Sequence, residues 1–236
     1  MPDIIGWLSD PNNWMGDQPL VDFAWIMDHL DDIALRLVQH VELTIIPVFL
    51  GFVISLFLAI WAVRQPRVYG PIVAISGILY TIPSIAAFAL LIPIFGLTLV
   101  TAIIPLTTYT LLILVRNNAS GFAAVPADVL EAAEAMGYTR WERMRRIELP
   151  LAVPLMVAGI RLAVVTTIGL ATVAAILGDS FGGLGQFITE GLQKFFPTEI
   201  YLGAVLSVAL AFLADFLIIK VERRLTPWAT ARAGRV

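Results

Sequence analysis

The chain has 236 residues, of which 59% are hydrophobic and 14% charged, with a formal net charge of −3 and a mean hydropathy of +0.87. So apolar a composition excludes an ordinary soluble domain and places the chain among membrane proteins. Zero cysteines exclude disulfides and thiolate metal sites.

The chain opens with an acidic segment. Residues 1–42 carry Asp3, Asp10, Asp17, Asp22, Asp28, Asp31, Asp32 and Glu42 against a single base, Arg36. No basic stretch followed by an apolar run begins it, so a cleaved signal peptide is not expected. Within it, Phe23, Ile26, Met27, Leu30, Ile33, Ala34 and Leu37 recur at helical spacing. They predict an amphipathic helix over residues 21–40, lying at a membrane interface or packed on its own bundle.

A spanning helix needs about 20 mostly apolar residues. Five stretches qualify or nearly so: residues 43–63, 71–95, 97–115, 153–177 and 200–219. Only Gly96 separates the second from the third, which predicts a tight hairpin. Arg64 and Arg67 follow the first span and Arg116 the third. Arg140, Arg143, Arg145 and Arg146 precede the fourth, and Lys220, Arg223 and Arg224 follow the fifth. With five spans all these bases share one side, so the excess of basic residues puts the N-terminus outside and the C-terminus in the cytoplasm. The expected organisation is an acidic outer segment (1–42), a transmembrane domain (43–220) with a cytoplasmic loop at 116–150, and a cytoplasmic tail (221–236).

Span two contains Pro83 and Pro93, with Ser84 beside the first. Proline removes a backbone donor and frees carbonyls, which a bilayer tolerates only against protein or a watery path. The kink is either ordinary helix packing or part of a transport path. Tyr80, Phe88 and Tyr109 are candidate path-lining aromatics whose faces suit a quaternary ammonium, and ordinary core residues otherwise. Arg161, inside span four, is expected to snorkel to the interface. Asp215 could pair with Lys220, although their spacing of five suits a helix poorly. The stretch "GGLGQ" (182–186) follows a membrane helix and not a strand, so it reads as a flexible turn into a short outer segment.

The loop holds "EAAEAMGYTRWERMRRIELP" (131–150), with four Glu and four Arg in an otherwise apolar chain. Asp128 suits an N-cap with Glu131 at its third position, and Val129, Ala132, Ala133 and Met136 form a small apolar face. Gly137 can take the left-handed conformation that ends the helix. Thr139 and Glu142 repeat the capping-box spacing, so a second helix begins at once, closed by Pro150. The segment is either a solvated hairpin or a docking surface with a charged rim.

The same stretch resembles the EAA loop of ABC importer permeases, the binding-protein-dependent inner-membrane transport components. The matching positions are Glu131, Ala132, Ala133, Gly137, Ile147, Leu149 and Pro150. The resemblance implies an all-α, polytopic permease of the type I importer fold in a bacterial plasma membrane. It also implies that this loop couples to a cytoplasmic ATPase. "YTIPSIAAFALLIP", "YTLLILVRN", "LPLAVPLMVAGIR" and "IGLATVAAILGDSFGGLGQFITEGL" are similar to the osmoprotectant subfamily, which carries glycine betaine, choline, carnitine or proline. Methionine-type and other amino-acid importers share the layout and remain the alternative substrate class. An ion-coupled secondary transporter and a non-transporting scaffold are the remaining readings. The implied partners are two ATPase subunits, an extracytoplasmic binding protein, a second permease copy or paralogue, and the lipid bilayer. ATP and Mg would sit on the ATPase, with no cofactor on this chain. No Gly-x-x-x-x-Gly-Lys-Ser/Thr loop is present for hydrolysing ATP, and bases mixed with acids beside membrane spans do not suit nucleic acid.

Overall fold

A computed structural model describes residues 19–227, and among them every regular element is a helix. In chain order these are α1 (Phe23–Asp28), α2 (Leu30–Arg64), α3 (Pro66–Thr81), α4 (Ser84–Phe95), α5 (Leu99–Ala123), α6 (Ala127–Ala135), α7 (Arg140–Arg143), α8 (Leu149–Ala174), α9 (Gly185–Lys194) and α10 (Pro197–Leu225). Four helical stretches are long and apolar enough to cross a membrane: Leu30–Arg64, Leu99–Ala123, Arg140–Leu177 and Pro197–Leu225. The broken pair α3–α4 makes a fifth if counted as one span.

The core is the three-helix seam of α2, α5 and α8. In lipid, apolar burial drives helix association weakly, so close backbone approach has to supply the contact. The sequence provides for this with small residues one turn apart: Gly51, Ser55 and Ala59 on α2, and Gly159, Ala163, Thr167 and Ala171 on α8, all buried. Three layers fill the seam. Ala59, Phe122 and Met156 lie toward one end, Val48, Leu114 and Ala163 at the middle, and Leu43, Leu106 and Ala171 toward the other. Asn118 is fully buried and its Nδ2 donates to Ser55 Oγ at 2.9 Å, tying α5 to α2.

Several expected boundaries move. The amphipathic stretch and span one are a single helix, α2, broken from α1 only at His29, so the division expected between residues 42 and 43 falls inside a helix. At that break the His29 ring stacks on Trp25 with centroids 4.0 Å apart. Span three runs on to Ala123, and span four is continuous with the helix that begins at Arg140. Only residues 124–139 of the expected 116–150 loop therefore lie outside the long helices. The hairpin at Gly96 is present: its carbonyl accepts from Thr101 Oγ1 at 2.7 Å, and Thr98 starts α5.

The glycine-rich segment is not a flexible turn. After two short 3₁₀ turns, Ala175–Leu177 and Asp179–Phe181, residues 181–187 are all buried. Gly183 N–H donates to Gln39 Oε1 at 3.1 Å, and Leu184 N–H donates to His40 Nδ1 at 3.2 Å. Because Nδ1 accepts, the proton of the neutral ring sits on Nε2, which then donates to Ile168 O at 3.2 Å. His40 thus joins α2, α8 and the glycine-rich segment through one imidazole. Gly182 has φ +67, and a Cβ there would overlap Gln39 Oε1. Beyond it, Arg36 bonds Glu190 Oε1 at 3.0 Å and Asp32 at 3.1 Å, with its guanidinium carbon 5.2 Å from the Phe187 ring centre. Lys194 bonds Glu190 and Glu199 at 2.9 and 3.1 Å. The hydrogen bond to Glu190, with Glu199 behind it, holds the Lys194 ammonium above the ordinary lysine range.

Candidate functional site

Two features are the candidate sites: the elbow at residues 124–150, and the break between α3 and α4. Their local geometry follows from a few residues.

In the elbow, α6 is capped by Pro126 and not by Asp128, which lies in the first turn without a capping bond. Its carboxylate there still favours the positive helix end. The helix ends as a Schellman motif: Gly137 N–H bonds Glu134 O at 2.9 Å, and Tyr138 N–H bonds Ala133 O at 3.1 Å. Gly137 takes φ +81 with nothing within 4 Å of where a Cβ would point. Here glycine serves the backbone turn and not close packing. Thr139 then forms the full capping box: its Oγ1 accepts from Glu142 N–H at 3.3 Å, and its N–H donates to Glu142 Oε2 at 3.0 Å.

Pro150 does not close the second helix. Residues Met144–Glu148 form a π-turn, and Leu149 N–H bonds Met144 O five residues back. A π-turn already abandons the four-residue bonding pattern, so the missing N–H of Pro150 and the bulk of its ring are accommodated in the first turn of α8. The elbow is clamped internally by Arg143, whose Nε donates to the buried Glu148 at 2.7 Å while its other arm meets Glu134 across the turn.

The expected apolar face is divided. Ala133 is fully buried, whereas Ala132 and Glu131 are exposed and Met136 is 68% exposed. Ile147, Leu149 and Pro150 are half-buried along the run into α8. Trp141, 64% exposed, joins Met136 as a large apolar group on the elbow. Sequence reading passed over both Trp141 and the Arg143 clamp. The clamp links residues five and nine apart through a turn, beyond the reach of helical spacing rules.

At the break, α3 and α4 meet at 88° across Ile82 and Pro83. Pro83 offers no N–H, so helix-end carbonyls are left without intrahelical donors. Tyr109 of α5 answers one of them, its hydroxyl donating in a short hydrogen bond to Ile82 O. The Tyr80 and Tyr109 rings meet edge to face, 5.8 Å apart at 80°. Ser84 is half-buried at the start of α4. Phe88 takes the core alternative: it is fully buried with Phe181, 6.5 Å away, and presents no open ring face. Tyr80, 40% exposed, is the accessible aromatic of the group.

Charged residues inside the spans are also resolved differently. Asp215 pairs with Arg161 and not with Lys220. Arg161 Nε and Nη2 bind Asp215 Oδ1 and Oδ2 at 2.7 and 3.1 Å, a two-point bridge from α8 to α10. Lys220 lies over the Phe216 ring, 4.4 Å from its centre. Among the described residues no cluster of His, Asp or Glu could hold a metal ion.

Residues 51–227 match the family described as "Binding-protein-dependent transport system inner membrane component". The chain belongs to that family. It is therefore a multi-pass protein of the plasma membrane, a permease subunit of an ABC transporter whose ATPase is a separate subunit. Among curated relatives, it is 36% identical over 189 residues to the glycine betaine/carnitine/choline transport system permease protein OpuCB of Bacillus subtilis (strain 168), covering 80% of this chain and 86% of that one. It is 38% identical over 189 residues to the choline transport system permease protein OpuBB of the same organism, with the same coverage. Among solved structures, an inward-facing MetNI methionine ABC transporter superposes with a TM-score of 0.74 at 26% identity, covering 84% of this permease and 98% of that chain. The all-helical, type I importer permease fold expected from the sequence is thereby established.

Proposed function

We propose that this permease forms the path for quaternary ammonium osmoprotectants, of the glycine betaine, choline and carnitine class, in an ATP-driven importer. The observation that carries the substrate class is the likeness, over four fifths of the chain, to permeases named for those solutes. The elbow is the contact to the ATPase: Glu131 and Ala132 on α6, Met136 at its end and Trp141 on α7 form an exposed surface across a turn clamped by Arg143. Closure of two ATP- and Mg-loaded ATPase subunits pulls on that surface, and the tilt travels along α8. A binding protein delivers solute at the glycine-rich end, which faces outward, while the elbow faces the cytoplasm. A second permease copy or paralogue completes the path. Tyr80, Pro83, Ser84 and Tyr109 at the α3–α4 break are the path-lining candidates of this chain. The work is gating between conformations, for which the permease needs no catalytic side chain.

The test is uptake of radiolabelled glycine betaine in cells lacking their own osmolyte importers. The permease is co-expressed with its ATPase and binding protein, beside an ATPase-dead control. Accumulation that requires the active ATPase supports the reading. A methionine importer is the second reading, favoured by the structural match to MetNI. Methionine uptake with no entry of betaine, choline or carnitine would select it.

A further inference from the structure

The faces of α2, α8 and α10 enclose a groove of about 570 Å³ that has no part in the reading above. Val48 and Phe52, Ile160 and Ile168, and Leu213 and Leu217 wall it from the three helices. The one polar side chain on its wall, Thr44, donates its hydroxyl to His40 O at 2.9 Å, so nothing in the groove invites a polar ligand. From residue 41 to residue 52 the groove follows α2 for about 16 Å. That is roughly half of a hydrocarbon core about 30 Å thick. A single acyl chain is slender enough to lie along a trough of this volume.

The groove has a polar end. Lys220 and Arg224, three and seven residues beyond Leu217, return to the face of α10 that lines it. Both are exposed, and neither makes an ion pair among the described residues. Lys220 is braced on the Phe216 ring instead. With Arg223, this helix end carries three bases against one acid, Glu222.

We propose that the groove holds an acyl chain of an anionic phospholipid whose phosphate is bound by Lys220 and Arg224. The tail fills the apolar trough, and the headgroup meets two bases lacking carboxylate partners one and two turns beyond Leu217 on α10. The site involves neither the elbow nor the α3–α4 break, so it stands independently of the substrate assignment.

The test places the full chain, with its ATPase, in nanodiscs containing trace phosphatidylglycerol or phosphatidylcholine bearing a diazirine on the acyl chain. Cross-linked peptides are then mapped by mass spectrometry. Phosphatidylglycerol should label segments 41–52, 160–168 and 210–218 roughly tenfold more than phosphatidylcholine does. The double variant Lys220→Gln/Arg224→Gln, changed only at exposed positions, should abolish that preference while groove labelling persists. Ala214→Phe, which fills the wall, should lower labelling by both lipids there but not at the exposed Ile75 and Ile78. Equal labelling by the two lipids overturns the proposal. So does labelling no greater in the groove than at Ile75, or cross-links from the groove to a second permease copy in place of lipid.

Discussion

The two ends of this permease each turn on a glycine with positive φ, and they use it in opposite ways. At the elbow, Gly137 faces open space, and the turn is held by its own neighbours: the Schellman bonds, the Thr139 box and the Arg143 clamp. At the other end, Gly182 lies against Gln39, within a segment held by residues about 144 positions earlier in the chain. One end is a self-sufficient unit with an exposed surface left free for a partner. The other is held by distant helices, α2 and α8 through hydrogen bonds and α10 through close packing, and its shape reports how those helices are arranged. A local unit can be handed to another protein without disturbing the bundle. A tertiary one changes whenever the bundle does.

Substitutions at the two ends should therefore separate stability from coupling. Gly182→Ala combines a strained left-handed alanine with overlap on Gln39, and should lower the stability of the purified permease by about 3 kcal/mol or more. Thermal unfolding in detergent would register this as lost folded protein. His40→Ala leaves the buried Leu184 N–H without its acceptor and opens a cavity, for an expected loss of about 2–4 kcal/mol by the same measurement. Were His40→Ala to unfold like the native chain, the contrast between the two ends would be lost. Thr139→Ala removes one cap from an exposed helix, with an expected loss of about 1 kcal/mol. Gly137→Asp should cost about 1–2 kcal/mol, the strain of a left-handed residue at φ +81 with no steric overlap added. It should also uncouple ATP hydrolysis from uptake by moving the surface proposed to contact the ATPase. Native uptake and ATPase association in that variant would break the coupling assignment for the elbow.

The same contrast governs what the sequence disclosed. The elbow was legible because its signals are local: Thr139 and Glu142 three apart, Gly137 at the helix end, and a dense run of charge in an apolar chain. Misplacement occurred where a short-range rule met long-range packing. Pro150 reads as a stop signal until the π-turn before it absorbs the ring. The glycines at 182–185 read as flexible because glycine-rich turns usually lie on a surface, and nothing near them in sequence announces His40. Phe88 was a fair candidate for an open aromatic face, since burial depends on which helix side the 88° break turns inward. The Arg161–Asp215 bridge spans 54 residues, beyond any helical spacing rule.

The π-turn has a mechanical meaning as well. By letting the chain pass Pro150 without breaking, it makes Arg140–Leu177 one rod of 38 residues, about 57 Å long. A helical run of that length, turning as one body, would act as a lever. A swing of about 5° at the elbow displaces the far tip by about 5 Å, close to one helical turn. That tip leads directly into the segment fastened to His40, so force applied at one end need cross no loop to reach the other.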